Sequence, residues 1–199
     1  ADLVKLQCFD PNEFLSPSSS YFGIFDECRL KPSQISQLFL HAERQKITLF
    51  ASVFDSLNLQ VLEDVGCGLY KIASGDITHH NLISEVAKTG KPVIASTGCS
   101  TLAEAAAVKN LVPVINLAFL HCVSNYPATI DSLNLNMMMS MRDHLQVPIG
   151  FSDHTVGISA AIVATALGAR VIEKHFTYDK NEMGPDHALS ADPKELQEM

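Results

Sequence analysis

Short apolar runs alternate with amphipathic segments along most of this chain. Runs such as VIAS, residues 93–96, are apolar on both faces, which is typical of parallel strands covered by helices. The segment 33–46 instead repeats apolar residues at helical spacing, with Ile35, Leu38 and Ala42 on one side. The pattern predicts seven strands, at residues 3–7, 47–52, 69–73, 92–96, 116–121, 147–152 and 170–175.

The spacing of these strands indicates a repeated unit. From the second strand onward they begin 22 to 31 residues apart, with one helical segment in most intervals. Repeated strand–helix units either close into an eight-stranded barrel or lie open as a doubly wound sheet, and periodicity alone does not choose. A closed barrel needs eight strands and about 250 residues. A barrel here would therefore lack one N-terminal strand–helix unit.

Two local signals refine this outline. Thr101 and Glu104 match a capping box at the start of a helix over 101–109, and another helix is expected to begin near Asp192. The interval between the first two strands contains DPNEFLSPSSSYFG, residues 10–23, which is rich in Pro, Ser and Asn. Long loops of this kind are usually functional or disordered. We expect a mobile flap there.

Composition narrows the class of protein. The net charge is −8, from 14 Lys and Arg against 22 Asp and Glu, so nothing favours nucleic acid or an anionic membrane as a partner. The five cysteines form no CxxC pair, which argues for a reducing compartment. The most apolar stretch, 156–172, is interrupted by polar residues and is shorter than the roughly 20 residues of a spanning helix. With no signal peptide at the start of the sequence, a cytoplasmic protein is expected.

Polar residues collect where the predicted strands end. In barrels and open α/β sheets the carboxyl end of the sheet carries the functional site, because the loops converge there. The residues at these ends are Lys5, Gln7, Ser52, Ser74, Asp76, Ser96, Thr97, His121, Ser124, Ser152, His154 and His175.

Two histidines end neighbouring strands. Strand alternation puts Ser152 and His154 on one face, and it puts Glu173 and His175 together on one face of the next strand. Two neutral imidazoles with open positions suit a divalent transition metal, with Glu173 orienting an imidazole. Alternatively, each histidine simply hydrogen-bonds a carbonyl.

Two lysines lie inside apolar strands. Lys5 and Lys71 would be costly to bury unless each ammonium meets an anion or loses its proton. One interpretation is a clamp for phosphate or carboxylate, and another is a Schiff-base nucleophile. The third is that the lysines extend out of the sheet edge into water.

Three further segments each have a functional and a structural interpretation. STGCSTLAE, residues 96–104, suits an anion at a helix start, although capping alone also explains it. Asp76, in SGD, is either an acid/base group or an ordinary turn residue. Asp186 and His187, in GPDH, either reach over the mouth of the site or belong to a solvated loop.

Taken together, these residues resemble the sialic acid synthase family, which includes legionaminate and spore coat polysaccharide synthases. The matching stretches run in family order from near residue 3 to residue 196: VKLQ, YKIASGD, KTGKPVIASTG, LHCVSNYPA, IGFSDHTVGI, ALGARVIEKHFT and GPDHALSADPKEL. The resemblance implies a (β/α)8 TIM barrel, in which residues 1–199 supply strands 2 to 8. The family's first strand–helix unit and its small C-terminal antifreeze-like domain would lie outside this sequence.

The resemblance also implies an activity, the condensation of phosphoenolpyruvate with an N-acetylated amino sugar to give a sialic acid and phosphate. His154 and His175 would bind a divalent metal, usually manganese, and Lys5, Lys71 and Asp76 would take part in catalysis. The substrate-binding residues would be Lys5, Ser52, Lys71, Ser74, Ser96, Ser124, Tyr126, Ser152 and Asp186. The full-length protein would form a homodimer.

The chain departs from the family pattern at three places. It has ASVFD at 51–55 where the family often has STPFD, Ser124 where some members have Asn, and Asp76 where many have Glu. The flap and the loops on the sugar side decide the acceptor, so the acceptor stays open among N-acetylmannosamine, its 6-phosphate and a diamino sugar. Two rival functions also stay open: a Schiff-base aldolase that uses Lys71, and a non-catalytic sugar-binding module.

Overall fold

One parallel sheet organises the molecule. The computed structural model describes residues 1–199, except for the side chain of Phe14. Within these residues, seven strands pair in chain order, each parallel to the next. They are β1 (Leu3–Cys8), β2 (Thr48–Val53), β3 (Tyr70–Ile72), β4 (Val93–Ser96), β5 (Leu117–Cys122), β6 (Ile149–Asp153) and β7 (Ile172–Lys174). The predicted strands are confirmed, each within two residues of its expected bounds.

Helices follow each strand. They are α1 (Pro11–Phe14), α2 (Phe22–Cys28), α3 (Pro32–Gln45), α4 (Ser56–Asp64), α5 (His80–Lys88), α6 (Leu102–Val108), α7 (Met137–Leu145), α8 (Ser159–Ala166) and α9 (Pro193–Glu198). The predicted caps are present: Thr101 and Glu104 form the capping box of α6, and Asp192 caps α9. Helix α3 ends where Lys46 adopts a left-handed conformation, with φ of 57°.

The sheet is curved so that its first and last strands approach each other. β1 pairs only with β2, and β7 pairs only with β6. Nevertheless, the Lys5 ammonium on β1 lies 3.7 Å from the Glu173 carboxylate on β7. Side chains from opposite edges meet only if the sheet bends round a common centre. The seven strands are arranged as seven of the eight strands of a (β/α)8 barrel, which confirms the predicted fold class.

The core lies on both sides of these strands. Tyr70, Phe119 and Phe151 are completely buried, and five consecutive residues of β2 are buried on alternating faces. Apolar side chains on one face pack against the helices, while the other face turns toward the centre of the curved sheet. The polar residues that interrupt this second face are the ones that form the site.

The structure corrects the expectation of a loop over residues 10–23. Asp10 caps α1, which has proline at its start, and α2 begins at Phe22. Phe9 packs edge-on against Phe25 and Phe54, with ring centroids 5.6 and 6.0 Å away, so the segment is tied to the strand ends. These helices are too short to produce a periodic pattern. Mobility of the segment stays a prediction.

Among the helices of the described residues, none combines the length and apolar character that crossing a membrane requires.

Candidate functional site

Side chains from every strand of the sheet line one pocket at the carboxyl ends of the strands. This is the end at which the sequence predicted the site. Nine of the predicted site residues line it: Lys5, Ser52, Lys71, Ser74, Ser96, Tyr126, Ser152, His154 and His175. Gln7, Phe54, Ala73, Cys122 and Glu173 complete the lining.

The floor of the pocket is a cluster of charged groups. Glu173 lies between two lysines, 3.7 Å from the ammonium of Lys5 and 3.7 Å from that of Lys71. It also accepts a hydrogen bond of 2.7 Å from the Ser152 hydroxyl. Lys5 donates to the Ser52 hydroxyl at 3.2 Å. The pocket therefore has two fixed cations and one carboxylate in contact with both.

Burial and charge pairing oppose each other in this cluster. Burial by itself would raise the pKa of Glu173, but Lys5, Lys71 and the Ser152 hydrogen bond lower it to about 2. Burial lowers the pKa of Lys71, which Glu173 partly offsets. Lys71 is almost completely inaccessible to water, so it does not extend out of the sheet edge. Glu173 neutralises only part of the positive charge of the two lysines, so an anion that enters the pocket would still meet positive charge there.

One hydroxyl in this pocket has no partner. Ser96, at the end of β4, is 2% exposed. Its Oγ is the single buried side-chain nitrogen or oxygen in the described residues that lacks a hydrogen bond. Burying an unpaired hydroxyl is unfavourable, and such groups are rare in folded proteins. A polar ligand in the pocket would satisfy it.

The two predicted histidines lie together at the rim. The rings of His154 and His175 have centroids 5.5 Å apart and are tilted by 59°. His154 Nδ1 lies 2.8 Å from the carbonyl oxygen of Val123. The His154 ring stacks on the Tyr126 ring, with centroids 4.1 Å apart. Since a carbonyl only accepts, Nδ1 carries the proton and Nε2 keeps its lone pair.

The pKa values of the two histidines move in opposite directions. Burial by itself lowers the pKa of His154, but contacts with the Cys122 sulfur and the Val123 carbonyl raise it above its ordinary value. Burial lowers the pKa of His175, although Asp186, 3.5 Å from its Nδ1, opposes the change.

The two imidazoles provide donor atoms of the kind that a divalent metal needs. His154 offers an unprotonated nitrogen oriented by a backbone carbonyl, which is the usual arrangement around a metal-bound imidazole. A second imidazole lies beside it. Within the residues that the structure describes, no group of three or more His, Cys, Asp or Glu side chains is arranged around a common point for a metal. The chain thus fits a two-imidazole site whose other positions belong to water or substrate.

Three predicted site residues lie outside the pocket lining. Asp76, in a short 3-10 turn after β3, is partly buried, and burial raises its pKa despite the nearby His79 and Lys71. Asp186 is at the rim against His175. Ser124 lies beside the pocket, where its hydroxyl accepts a hydrogen bond from the Cys99 thiol at 3.3 Å.

The start of α6 favours capping over anion binding. Thr101 and Glu104 satisfy each other's backbone amides, and Thr97 donates its hydroxyl to the Leu120 carbonyl. The preceding turn serves the site differently. The Gly98 amide donates to Ser74 Oγ at 3.1 Å, and a Cβ at Gly98 would lie 2.5 Å from the Ser124 hydroxyl. Glycine lets this turn approach both serines.

Sequence reasoning gave no ligand-binding role to five lining residues, which are Gln7, Phe54, Ala73, Cys122 and Glu173. Gln7 stands at a strand end, so its position was a usable signal. Cys122 is buried, and its sulfur lies 3.8 Å from His154 Nδ1 and 3.6 Å from Ser74 Oγ. Glu173 was expected to orient an imidazole, whereas its hydrogen bond and ion pairs join it to Ser152, Lys5 and Lys71.

Comparison with known proteins gives one consistent family. The sequence model of the NeuB family matches residues 1–199. The chain is 36% identical to the N,N'-diacetyllegionaminic acid synthase of Campylobacter jejuni, a match that covers 98% of this chain and 64% of that protein. It is 33% identical to the human N-acetylneuraminate-9-phosphate synthase, with 83% of this chain and 47% of that protein covered.

A solved structure agrees with these relatives. The N-acetylneuraminic acid synthetase of Leptospira borgpetersenii serovar Hardjo-bovis, crystallised with citrate, superposes with a TM-score of 0.94 at 32% identity. The match covers 100% of this chain and 70% of that one. The chain spans less than two thirds of the length of the curated relatives it was compared with.

Proposed function

The chain belongs to the NeuB family, and from that premise we propose that it forms the barrel of an enzyme that condenses phosphoenolpyruvate with an N-acetylated amino sugar of the N-acetylmannosamine type. A bond forms between C3 of phosphoenolpyruvate and the aldehyde carbon of the sugar. Water adds at C2 and phosphate leaves, which gives a sialic (nonulosonic) acid. The enzyme is thus a transferase of carbohydrate biosynthesis that forms a carbon–carbon bond.

The observation that carries this proposal is the unpartnered Ser96 hydroxyl in a pocket that also contains the ammonium groups of Lys5 and Lys71. Phosphoenolpyruvate presents a carboxylate and a phosphate, and both need fixed hydrogen-bond donors and positive charge. Lys5 and Lys71 supply the charge, and Ser52, Ser74, Ser96 and Ser152 supply hydroxyl donors. Glu173 offsets part of this charge, so the bound substrate needs further positive charge from elsewhere.

That charge is assigned to a divalent metal, which we propose to be manganese. His154 and His175 would hold it, and as a Lewis acid it would polarise the aldehyde oxygen of the sugar. Tyr126 stacks on His154 and would restrict where the sugar lies. Ser124, beside the pocket, and Asp186, next to His175, would contact the sugar hydroxyls or its N-acetyl group.

Asp76 is assigned to proton transfer. Its carboxyl group ends the 3-10 turn that follows β3, and burial raises its pKa above the ordinary value of an aspartate. It would give a proton to the aldehyde oxygen of the sugar, which becomes a hydroxyl, or take one from the water that adds at C2. Lys5 and Lys71 would hold the charge that develops on the phosphoenolpyruvate oxygens during the same step.

A second candidate function is supported by one observation, the lowered pKa of Lys71. A neutral Lys71 amine would form a Schiff base with pyruvate or a sugar. Borohydride would then trap pyruvate on Lys71, and no metal would be needed. We favour the clamp because Glu173 lies opposite the ammonium and favours its charged form, and because a Schiff-base enzyme gives the paired imidazoles no task.

The test is phosphate release from phosphoenolpyruvate by the full-length protein after chelator treatment. N-acetylmannosamine, its 6-phosphate and an N-acetylated diamino sugar are each supplied with and without Mn²⁺. Release that requires both a sugar and the metal supports the proposal. Release that chelation leaves unchanged contradicts the metal site, and sugar binding without release indicates the non-catalytic module. Sedimentation of the same protein tests the proposed homodimer.

A further inference from the structure

Strands β6 and β7 carry polar pairs on consecutive rungs where they approach the site. Ser152 stands opposite Glu173 in the register, and Asp153 stands opposite Lys174. The histidines His154 and His175 follow directly on the two strands. Because side chains alternate across a sheet, the first pair and the imidazoles share the pocket face, whereas Asp153 and Lys174 point to the opposite face.

The pair on the opposite face is almost completely removed from water. The side chains of Asp153 and Lys174 are 0% and 2% exposed, and Lys174 Nζ lies 3.0 Å from Asp153 Oδ2. The other carboxylate oxygen accepts hydrogen bonds of 2.8 Å from both the amide and the hydroxyl of Thr155. Lys174 also donates to the Thr155 carbonyl. Every charged group in this network therefore has hydrogen-bond partners.

The network encloses the backbone on either side of His154. Asp153 precedes this histidine and Thr155 follows it, and both are fastened to the lysine that precedes His175. On the pocket side, the Val123 carbonyl and the stacked Tyr126 ring contact His154, and Tyr126 and Asp186 lie beside His175. The backbone carbonyls of the two histidines each accept one hydrogen bond from another segment, His154 from the Ala128 amide and His175 from the Ala191 amide. The network on the opposite face adds a direct side-chain link between the two strand ends.

We propose that Asp153, Thr155 and Lys174 form a positioning network that sets the spacing of the two imidazoles and thereby the affinity of the site for a divalent cation. The inference rests on the two-histidine metal site proposed above. A buried ion pair contributes little net stability compared with apolar residues of similar size. Here it fixes two strand ends relative to each other at the rung next to the ligands. A two-ligand site has no further protein donors to correct a misplaced ring.

The test measures Mn²⁺ binding to the metal-free full-length protein by titration calorimetry. The double variant Asp153→Asn/Lys174→Met removes both charges and keeps the volumes similar. We expect its dissociation constant to rise roughly 10-fold or more, as for other groups that orient metal ligands. Thr155→Val is the milder variant, because it removes only one hydroxyl, and it serves as the test if the double variant does not fold. We expect its dissociation constant for Mn²⁺ to rise as well, but less.

The matched control is Glu63→Gln/Lys91→Met, which removes the ion pair of 2.6 Å between α4 and the turn before β4. This pair is remote from the histidines, so the variant should lose stability without losing Mn²⁺ affinity. If Thr155→Val and the double variant bind Mn²⁺ as tightly as the parent does, the inference is overturned and the metal site still stands. A parent that binds Mn²⁺ no better than His154→Ala/His175→Ala overturns the metal site and this inference together.

Discussion

Lys5 and Glu173 belong to the first and last strands of the sheet, yet their charged groups lie 3.7 Å apart in the centre of the curve. The same carboxylate lies 3.7 Å from Lys71 on β3. The Glu173 carboxylate thus links β7 to β1 and β3, which are far from β7 in the sequence. Because it is the only carboxylate among the described pocket-lining residues, it occupies the position where an anionic substrate would meet the lysines.

Replacing Glu173 with Gln should make stability dependent on added anions. Lys71 is buried, and losing its carboxylate leaves a positive charge without compensation, which costs about 3 kcal/mol of unfolding free energy. Inorganic phosphate or phosphoenolpyruvate would supply the missing negative charge. We expect the melting temperature of Glu173→Gln to fall below that of the parent and to rise more steeply with phosphate, since a ligand of the folded state stabilises by mass action.

Glu63→Gln is the control for this measurement. It also removes the carboxylate that pairs with a lysine, but the side chain of this lysine, Lys91, is 28% exposed, so water solvates its charge. Its melting temperature should respond to phosphate as the parent's does. Equal phosphate responses in Glu173→Gln and Glu63→Gln would contradict the anion site.

Replacing Ser96 with Ala should separate ligand binding from stability. The hydroxyl has no partner within the described residues, so its removal should leave the unfolding free energy unchanged or slightly higher. A hydrogen bond to a charged ligand contributes about 1.5 to 3 kcal/mol. The KM for phosphoenolpyruvate should therefore rise roughly 10- to 100-fold, as measured by phosphate release.

The control is Ser84→Ala, which removes an exposed hydroxyl that donates to the His80 carbonyl in α5. It should leave the KM unchanged. A Ser96→Ala variant with a normal KM for phosphoenolpyruvate and lowered stability would mean that the hydroxyl serves the fold.

The parts of the site that follow from strand position were predictable. A strand ends where its apolar run ends, and alternation then decides which residues share a face. This is why Ser152 could be assigned to the same face as His154, and Glu173 to the same face as His175. Apolar runs also separated the strands clearly enough to predict all seven.

The partners of those residues were less predictable, because they depend on contacts between distant strands. Glu173 pairs with Lys5 only because the sheet curves, and no local pattern encodes that curvature. Similarly, the sequence marks Ser96 as a polar strand end but cannot tell that its hydroxyl lacks a partner. Ser124 and Asp186 belong to loops, whose paths no periodic pattern determines.

Removing the metal should abolish phosphate release, and Mn²⁺ should restore it in the parent but not in His175→Ala. The variant leaves a single imidazole, His154, which cannot hold the ion alone against a chelator. We expect at least a 100-fold loss of phosphate release, on the order of what a Lewis acid contributes. His144→Ala, an exposed histidine on α7, should behave as the parent. Equal recovery of both variants with Mn²⁺ would contradict the assignment.

Glu63 provides a pH-dependent test of the fold that does not involve the site. Partial burial by itself raises its pKa, but hydrogen bonds from Lys91 and Tyr70 outweigh this effect and bring the pKa below its ordinary 4.5. A carboxyl group with a lowered pKa in the folded state stabilises the protein above its unfolded pKa, and this stabilisation is lost as the pH falls through the folded value. Glu63→Gln should therefore lower the unfolding free energy by about 1 kcal/mol at pH 7.

The difference between Glu63→Gln and the parent should shrink as the pH is lowered below 4.5, because the unfolded parent takes up a proton on Glu63 first and the folded parent does so at a lower pH. Urea unfolding at pH 7, 5 and 3 measures it. Glu198→Gln is the matched control: its pair with Lys194, at 3.9 Å, is mostly exposed, and its removal should have no measurable effect at any of these pH values. A penalty for Glu63→Gln that is as large at pH 3 as at pH 7 would show that Gln disturbs packing rather than charge.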